Sequence, residues 1–383
     1  MKKLNNILYG IILVIIPVVF SPFTSCGEGR NQKQADIMET EKRVFGHTPD
    51  GREVHIFTLR NESGIEVEIT NYGGIVTSLK VPDRNGDMDN IVLGFESLEE
   101  YFDDHPYFGA LVGRYANRIA GARFEIDGEV YQLAANNGIN HLHGGIKGID
   151  KRVWEYEIPD AEEGASLRLT YLSPDGEEGY PGNLSLEAIF LLNSQDELVI
   201  SYKAVTDKAT PVNISHHGYF NLTGGRESVL GHELMINASH YTEVNDQLIP
   251  TGDLPTVEGT PMDFREMKPV GRDIADVPGG YDHNYVLIGE EGAIKTAAIL
   301  YEPVSGREIT LLTTQPGVQL YTGNFLDGSI TGRGGIVYHQ YWGLCLETQH
   351  FPDSPNHPEF PGTILRPGEE YKHRAIFRFG TKL

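Results

Sequence analysis

Apolar and polar residues alternate with a period of two along most of this chain, and that pattern predicts strands almost everywhere from Lys42 onward. The alternation is clear in "EVEIT", "IVTSLKV", "SLRLTYL", "LSLEAIFLL", "LVISYKAVT", "TAAILYEP" and "REITLLTT". Turn-forming clusters such as "PDRNGD", "SPDGEEG", "NSQDE" and "PVSG" separate them. A 3.6-residue period is sustained nowhere, and "ESLEEYF" is the best candidate for a short helix. The 44 glycines and 21 prolines suit a turn-rich chain. No fixed-period repeat and no internal linker interrupts the pattern. The expectation is therefore one all-β domain over residues 42–383, a large antiparallel β-sandwich of stacked sheets.

One strand breaks its own rule. In "GLCLETQHFPD", Leu344 and Leu346 alternate with Gly343 and Cys345, and then Glu347 falls on the Cys345 face. A lone ionised carboxylate in an apolar interior costs several kcal/mol or is neutralised, so its presence there calls for a reason.

The first residues follow a different logic. "MKK" is a positive start, and Ile7 to Phe20 is an apolar run containing Pro17. The run is shorter than the ~20 residues that span a bilayer, which is a signal-peptide pattern. It ends at "FTSC", which resembles a bacterial lipoprotein cleavage box, with Phe23 where leucine is usual. Residues 1–26 are thus expected to be a signal peptide with lipid attached at Cys26. Residues 27–41, polar and without period, read as a flexible tether. The expected location is the periplasm or cell envelope, with membrane contact only through lipidated Cys26. The chain has 2 cysteines, so lipidation of Cys26 leaves Cys345 without a disulfide partner.

A net charge of -23 argues against nucleic acid as a partner, because phosphate backbones would be repelled. A neutral or cationic small molecule remains open, whereas an anionic one needs a local basic pocket.

Candidate chemistry sits where polar residues interrupt apolar strands. "LVGRYANRIAGARF" carries Arg114 and Arg118, either a clamp for hydroxyls or a partner of nearby acids. "NNGINHLHGG" carries His141 and His143, spaced to share one strand face; metal ligation, ligand binding and plain loop histidines all fit. In "PVNISHHGYFNL", the adjacent His216 and His217 must face opposite ways, and Asn213, Ser215 and Tyr219 share the His217 face. Asp282 opens the strand of "GGYDHNYVLIG", and Gln319 lies between Val318 and Leu320. No H-E-x-x-H or C-x-x-C set, phosphate loop or G-x-S-x-G elbow occurs. Acid–base work by histidine and glutamate on a polyhydroxylated ligand remains.

With these residues in view, "GRYANRIAG", "NHLHGG", "ISHHGYFNL", "YDHNY", "QPGVQLYTGNFLDG", "CLETQHFPDSPNHPEFP" and "LRPGEEY" resemble the aldose 1-epimerase (galactose mutarotase) family, in its order, from Phe45 to Phe379. The resemblance implies a large β-sandwich and an isomerase that interconverts α and β anomers of free hexoses such as galactose and glucose. It implies Glu347 as general base and His217 as general acid. His143 would bind near the ring oxygen, while Arg118, Asp282 and Gln319 bind sugar hydroxyls and Asn117 assists beside Arg118. In this scheme Glu347 is ionised and His217 charged at neutral pH. No metal or other cofactor is needed, although an accessory Ca2+ is left open on so acidic a chain. The expected assembly is a monomer with a small-molecule sugar as its partner. The chain departs from the family's cytosolic members in its export signal, which bears on the source of substrate. Rival readings are a glycosidase using Asp282 and Glu347, a non-catalytic sugar-binding protein, and a mutarotase for hexose 6-phosphates.

Overall fold

Strand Leu344–Gln349 lies inside a five-stranded antiparallel sheet whose order is Tyr219–Phe220, Leu344–Gln349, Gly317–Tyr321, Asp282–Leu287, Ala238–Tyr241. This computed structural model describes residues 39–103, 105–161 and 163–382. A second sheet of nine strands runs Glu155–Glu157, Gly164–Ser173, Leu184–Asn193, Glu197–Thr206, Tyr371–Thr381, Arg307–Thr313, Lys295–Tyr301, Glu233–Ile236, Lys268–Pro269. A third is a meander in chain order: Glu39–His47, Glu53–Arg60, Glu66–Thr70, Val76–Pro82 and Met88–Asn90. The strand pairings are antiparallel, as short turns between alternating runs require. The fold is the all-β sandwich expected.

Alternation decides which face is covered. In Glu197–Thr206, the side chains of Leu198, Ile200, Tyr202 and Ala204 are buried, while Lys203 between them is exposed. One apolar core draws on all three sheets: Phe57, Val67 and Leu79 from the meander, Leu169, Phe190, Leu311 and Phe377 from the nine strands, and Leu320, Leu344 and Leu346 from the site sheet. The C-terminal strand Tyr371–Thr381 pairs with Glu197–Thr206 on one side and Arg307–Thr313 on the other. The last residues of the chain therefore join its two halves.

Two local expectations change. "ESLEEYF" forms only a single 3-10 turn, Glu99–Tyr101, because Tyr101 is drawn into the core and its hydroxyl accepts from the Phe95 N–H. The first strand starts at Glu39, three residues inside the stretch read as tether, where Thr40 Oγ1 donates to the Ser166 carbonyl. The signal and lipidation residues 1–26, and the tether up to residue 38, lie outside the described residues. Among the described residues, no helix is long and apolar enough to cross a membrane.

Phe377 fixes the depth at which the sheets meet. It is 2% exposed, with its ring 5.3 Å from Phe220 and 6.0 Å from His216. Truncation leaves a cavity between layers that cannot easily close, so Phe377→Ala is expected to destabilise the fold by about 3–5 kcal/mol. Phe377→Leu should lose clearly less. Urea unfolding measures both, and a loss under about 1 kcal/mol for the alanine variant would contradict this packing role.

Candidate active site

The strand that carries Glu347 has two different neighbours on its two faces. Leu344 and Leu346 join the main core, and Thr348 on the same face bonds His373 of the nine-stranded sheet at 3.0 Å. Cys345, Glu347 and Gln349 point the other way. There the sheet register sets Gln319 directly opposite Glu347, Asn284 opposite Gln319, Asp282 opposite Tyr321, and Tyr321 and Tyr219 on either side of Cys345. One sheet face thus presents Asp282, Gln319 and Glu347 together. Gln319 Nε2 donates to Asp282 Oδ1 at 2.7 Å, and its Oε1 accepts from Gln349 Nε2 at 3.2 Å. The amide is held at both ends.

His217 arrives from the segment between strands Ser215–His216 and Tyr219–Phe220. Its N–H donates to the Ala110 carbonyl, and its carbonyl accepts from the Gly109 N–H, so the backbone is fixed on both sides. Its ring stacks on Tyr219 at 5.1 Å and on Tyr107 at 5.8 Å. Nε2 lies 3.7 Å from Glu347 Oε1, and Nδ1 lies 3.6 Å from Cys345 Sγ. His216 turns into the core beside Phe377, with no hydrogen-bond partner at either ring nitrogen. Alternation along the strand separates the two histidines as expected.

His141 and His143 do not share a face. Strand His141–Leu142 pairs with Arg118–Ile119, and the chain then leaves the strand at His143 with φ 49°. Gly144 makes the turn feasible, since a Cβ there would collide with the Gly113 carbonyl. His141 is structural: Nδ1–H donates to the Ala134 carbonyl and Nε2 accepts from the Tyr180 hydroxyl, both at 2.7 Å. The His143 ring instead stands edge-on to His217 at 5.1 Å and lies 4.7 Å from Tyr107. Asn117, also left-handed at φ 64°, accepts the His143 N–H at its carbonyl, and its own N–H donates to His143 Nδ1 at 3.1 Å. Its side chain accepts from the Arg118 N–H. Asn117 therefore braces the neighbouring groups.

The two arginines part company. Arg118 is 8% exposed, bonds Asn137 Oδ1, and lies close enough to favour the ionised form of Glu347. Arg114 donates to Ser173 Oγ and to the carbonyls of Ser173, Pro174 and Pro181, neutral oxygens away from this site. Its role is structural.

Burial governs the electrostatics. Glu347 is 2% exposed and its Oε2 has no hydrogen-bond partner. Desolvation pushes its carboxyl well above the usual range; Asp282 adds to this and Arg118 opposes it. Desolvation pushes His217 down to about 3, with its own main-chain carbonyl the main opposing influence. His143 is held well below its usual value by burial, then by His217 and Arg118. The expectation of a fixed ion pair is thus modified. Burial favours the uncharged arrangement of Glu347 and His217, while each partner's charge, 3.7 Å away, favours the ionised one.

His143, His217 and Glu347 place one ligand-type atom each within 4.8 Å of one another. Two nitrogens and one carboxylate oxygen are not the oxygen-rich set that suits Ca2+. A ligating histidine normally donates its other N–H to an acceptor. His143 Nδ1 instead receives the Asn117 N–H, which leaves the proton on Nε2, pointing inward. The set fits proton donation to a ligand better than metal ligation.

Sequence reasoning missed Tyr107, Tyr321 and Gln349 as site walls, whereas it places Tyr219 on the His217 face. It also missed Lys151, whose ammonium lies 5.7 Å over the Tyr107 ring. Tyr321 and Gln349 were accessible through face parity with Cys345 and Glu347. Tyr107, at φ 59°, left no comparable signal. A groove of about 530 Å³ lined by Arg52, Arg168, Glu187 and Lys203 lies on the opposite face of the nine-stranded sheet, where Arg168 and Glu187 already satisfy each other.

Known proteins share this fold and much of this sequence. The sequence model of the family described as aldose 1-epimerase matches residues 55–378. Galactose mutarotase of Homo sapiens is 43% identical over 341 residues, 88% of this chain and 98% of that protein. Aldose 1-epimerase of Escherichia coli (strain K12) is 38% identical over 338 residues, 86% and 96% of the two chains. The crystal structure of galactose 1-epimerase from Lactobacillus acidophilus NCFM superposes with a TM-score of 0.80 at 30% identity, covering 91% of this chain and 100% of that one. The chain belongs to the aldose 1-epimerase family.

Proposed function

We propose that this epimerase interconverts the α and β anomers of free hexoses such as galactose and glucose, with Glu347 as general base and His217 as general acid. The observation that carries this reading is the buried carboxylate and imidazole held 3.7 Å apart, one on strand Leu344–Gln349 and the other on the backbone-braced segment between two short strands. They could flank a hemiacetal, one at the anomeric hydroxyl and one at the ring oxygen. In the closed-ring complex Glu347 is ionised and His217 charged. Glu347 takes the anomeric hydroxyl proton as the carbonyl forms. The bond between the anomeric carbon and the ring oxygen breaks, its electron pair stays on that oxygen, and His217 Nε2 protonates it. The open aldehyde then faces a neutral pair. Rotation about the bond beside the carbonyl and closure from its other face return both protons. One dissociable proton moves between two arrangements, so no cofactor enters. His143 donates from Nε2 to a sugar oxygen, Arg118, Asp282 and Gln319 hold hydroxyls, and Asn117 acts through His143. All these residues come from one chain, in keeping with a monomer. A glycosidase reading is disfavoured because Asp282 is engaged by Gln319.

We also infer export. The apolar run Ile7 to Phe20 followed by Cys26 supports a lipoprotein signal, which would place the domain in the cell envelope beside imported or released sugar. Cys26→Ser is expected to move the protein from the membrane to the soluble fraction on fractionation. Unchanged membrane retention would reject lipid attachment.

Polarimetry on freshly dissolved α-galactose tests the roles. Glu347→Gln and His217→Asn should each lower kcat by roughly 10²–10⁴-fold, the usual contribution of one positioned acid or base, with unchanged circular dichroism. His216→Phe should keep most of the rate, since its ring nitrogens bond nothing. Loss in His216→Phe with full activity in His217→Asn would reverse the assignment.

The pH profile follows from the shared proton. On the acid side a second proton must be forced onto His217, depressed to about 3, so activity should persist well below the ordinary histidine value. On the alkaline side the single proton is lost above the ordinary carboxylate range, because Glu347 is raised. The value of kcat/KM is expected to hold below the ordinary histidine range and to fall only where the raised Glu347 carboxyl titrates. An acid limb centred near ~6.5, the unperturbed histidine value, would show an uncoupled histidine.

A further inference from the structure

The two site imidazoles have different partners at the nitrogen that faces away from Glu347. His143 Nδ1 accepts the Asn117 main-chain N–H at 3.1 Å, a donor that cannot reverse its role. His143 is thereby fixed with its proton on Nε2. His217 Nδ1 meets the Cys345 sulfur at 3.6 Å, and the His217 carbonyl, which also accepts the Gly109 N–H, lies close enough to support the charged ring. The sulfur is placed by strand register: Cys345 sits opposite Tyr219, two residues beyond His217, and next to Glu347 on the same face. It is fully buried and unpaired.

We infer that Cys345 is a positioning residue whose sulfur accepts the Nδ1–H of His217, leaving Nε2 as the nitrogen that gives and takes the ring-oxygen proton. This rests on the assignment of His217 as the acid. The reaction needs it: after His217 protonates the ring oxygen, Nε2 must present a lone pair to recover that proton at closure. If Nδ1 lost its proton instead, the ring would offer Nε2–H throughout and could not act as base in the return step. His143, braced the opposite way, is a permanent donor, and the adjacent histidines are not interchangeable. A neutral sulfur suits the task because it is a weak acceptor. A carboxylate in its place would stabilise the charged ring and make His217 a poorer acid. Burial keeps the thiol protonated, as do Glu347 and Asp282 nearby. The other titratable groups around His217 are Glu347, His143, His216, His105, Tyr107, Tyr219 and Tyr321.

The test compares Cys345→Ala with Cys345→Ser, whose hydroxyl can also accept from Nδ1. The alanine variant should lose about tenfold in kcat, part of the 10²–10⁴ of a positioned acid, with KM little changed. The serine variant should recover most of that loss. Nitrogen-15 NMR of the His217 ring reads the proton position without turnover. In the wild type and the serine variant, Nδ1 should stay protonated from about pH 5 to pH 9, the range in which histidines ordinarily titrate. In the alanine variant Nδ1 should lose that proton preference. An unprotonated Nδ1 in the wild type, wild-type kcat in Cys345→Ala, or equal losses in both variants would overturn the inference. Full activity of His217→Asn would instead reject the acid assignment, a separate failure that the NMR result does not share.

Discussion

The pairing of Gly317–Tyr321 with Leu344–Gln349 is the constraint on which the site depends. It sets Gln319 opposite Glu347 on one face and the apolar pair Leu320 and Leu346 on the other. A single-residue slip would carry the carboxylate into the main core and the leucines into the site. The register is therefore held by burial on both faces, and the catalytic geometry shares whatever holds the core. A carboxylate in an apolar run is tolerated because its face of the sheet is lined by Asp282, Gln319, Gln349 and the two histidines.

Burial at that position also sets the chemistry. In water a proton shared between a carboxylate and an imidazole sits on the imidazole, because the carboxylate is the weaker base by about 2 pKa units, and moving it to the carboxylate costs free energy. Here desolvation opposes both charges while their mutual attraction, with Arg118 beside Glu347, favours them. The two arrangements are brought closer in free energy. A reversible ring opening needs that near-balance, since the closed sugar requires the charged pair and the open aldehyde requires the neutral one. A site that strongly favoured either would slow one half of the cycle.

Much of this was legible in the chain. Period-two alternation revealed the strands, and the same parity separated His217 from His216 and placed Cys345 beside Glu347. Charge and motif absences narrowed the chemistry. The role of each group came from the family resemblance, not from the pattern. What stayed hidden is what a local pattern cannot encode. The insertion of Tyr371–Thr381 between two strands far apart in sequence is a long-range pairing with no local signature. Arg114 and Arg118 are equivalent on paper and diverge because one side chain meets carbonyls and the other meets the site. His141 and His143 seemed to share a face because the reading carried the strand one residue too far.

That misreading points to a division of labour in the fold. The proposed base Glu347, with the carboxylate and amide beside it, Asp282 and Gln319, rides on regular strands whose direction the sheet dictates. The imidazole partners come from irregular chain. Three non-glycine residues that surround them, Tyr107, Asn117 and His143, have φ values of 59°, 64° and 49°. Left-handed backbone is unfavourable for such residues and persists only where surrounding contacts impose it. At Asn117 and His143 those contacts are visible: the His143 N–H donates to the Asn117 carbonyl, and the His143 ring nitrogen takes the Asn117 N–H. The strain brings a donor to a place no strand could reach, from a direction the sheet does not supply. A sugar that opens, turns its carbonyl and closes again must find acid and base where it left them, so rigidity on both sides is required. The sandwich provides it for Glu347 through register, and the braced turns provide it for the histidines through hydrogen bonds to neighbouring backbone.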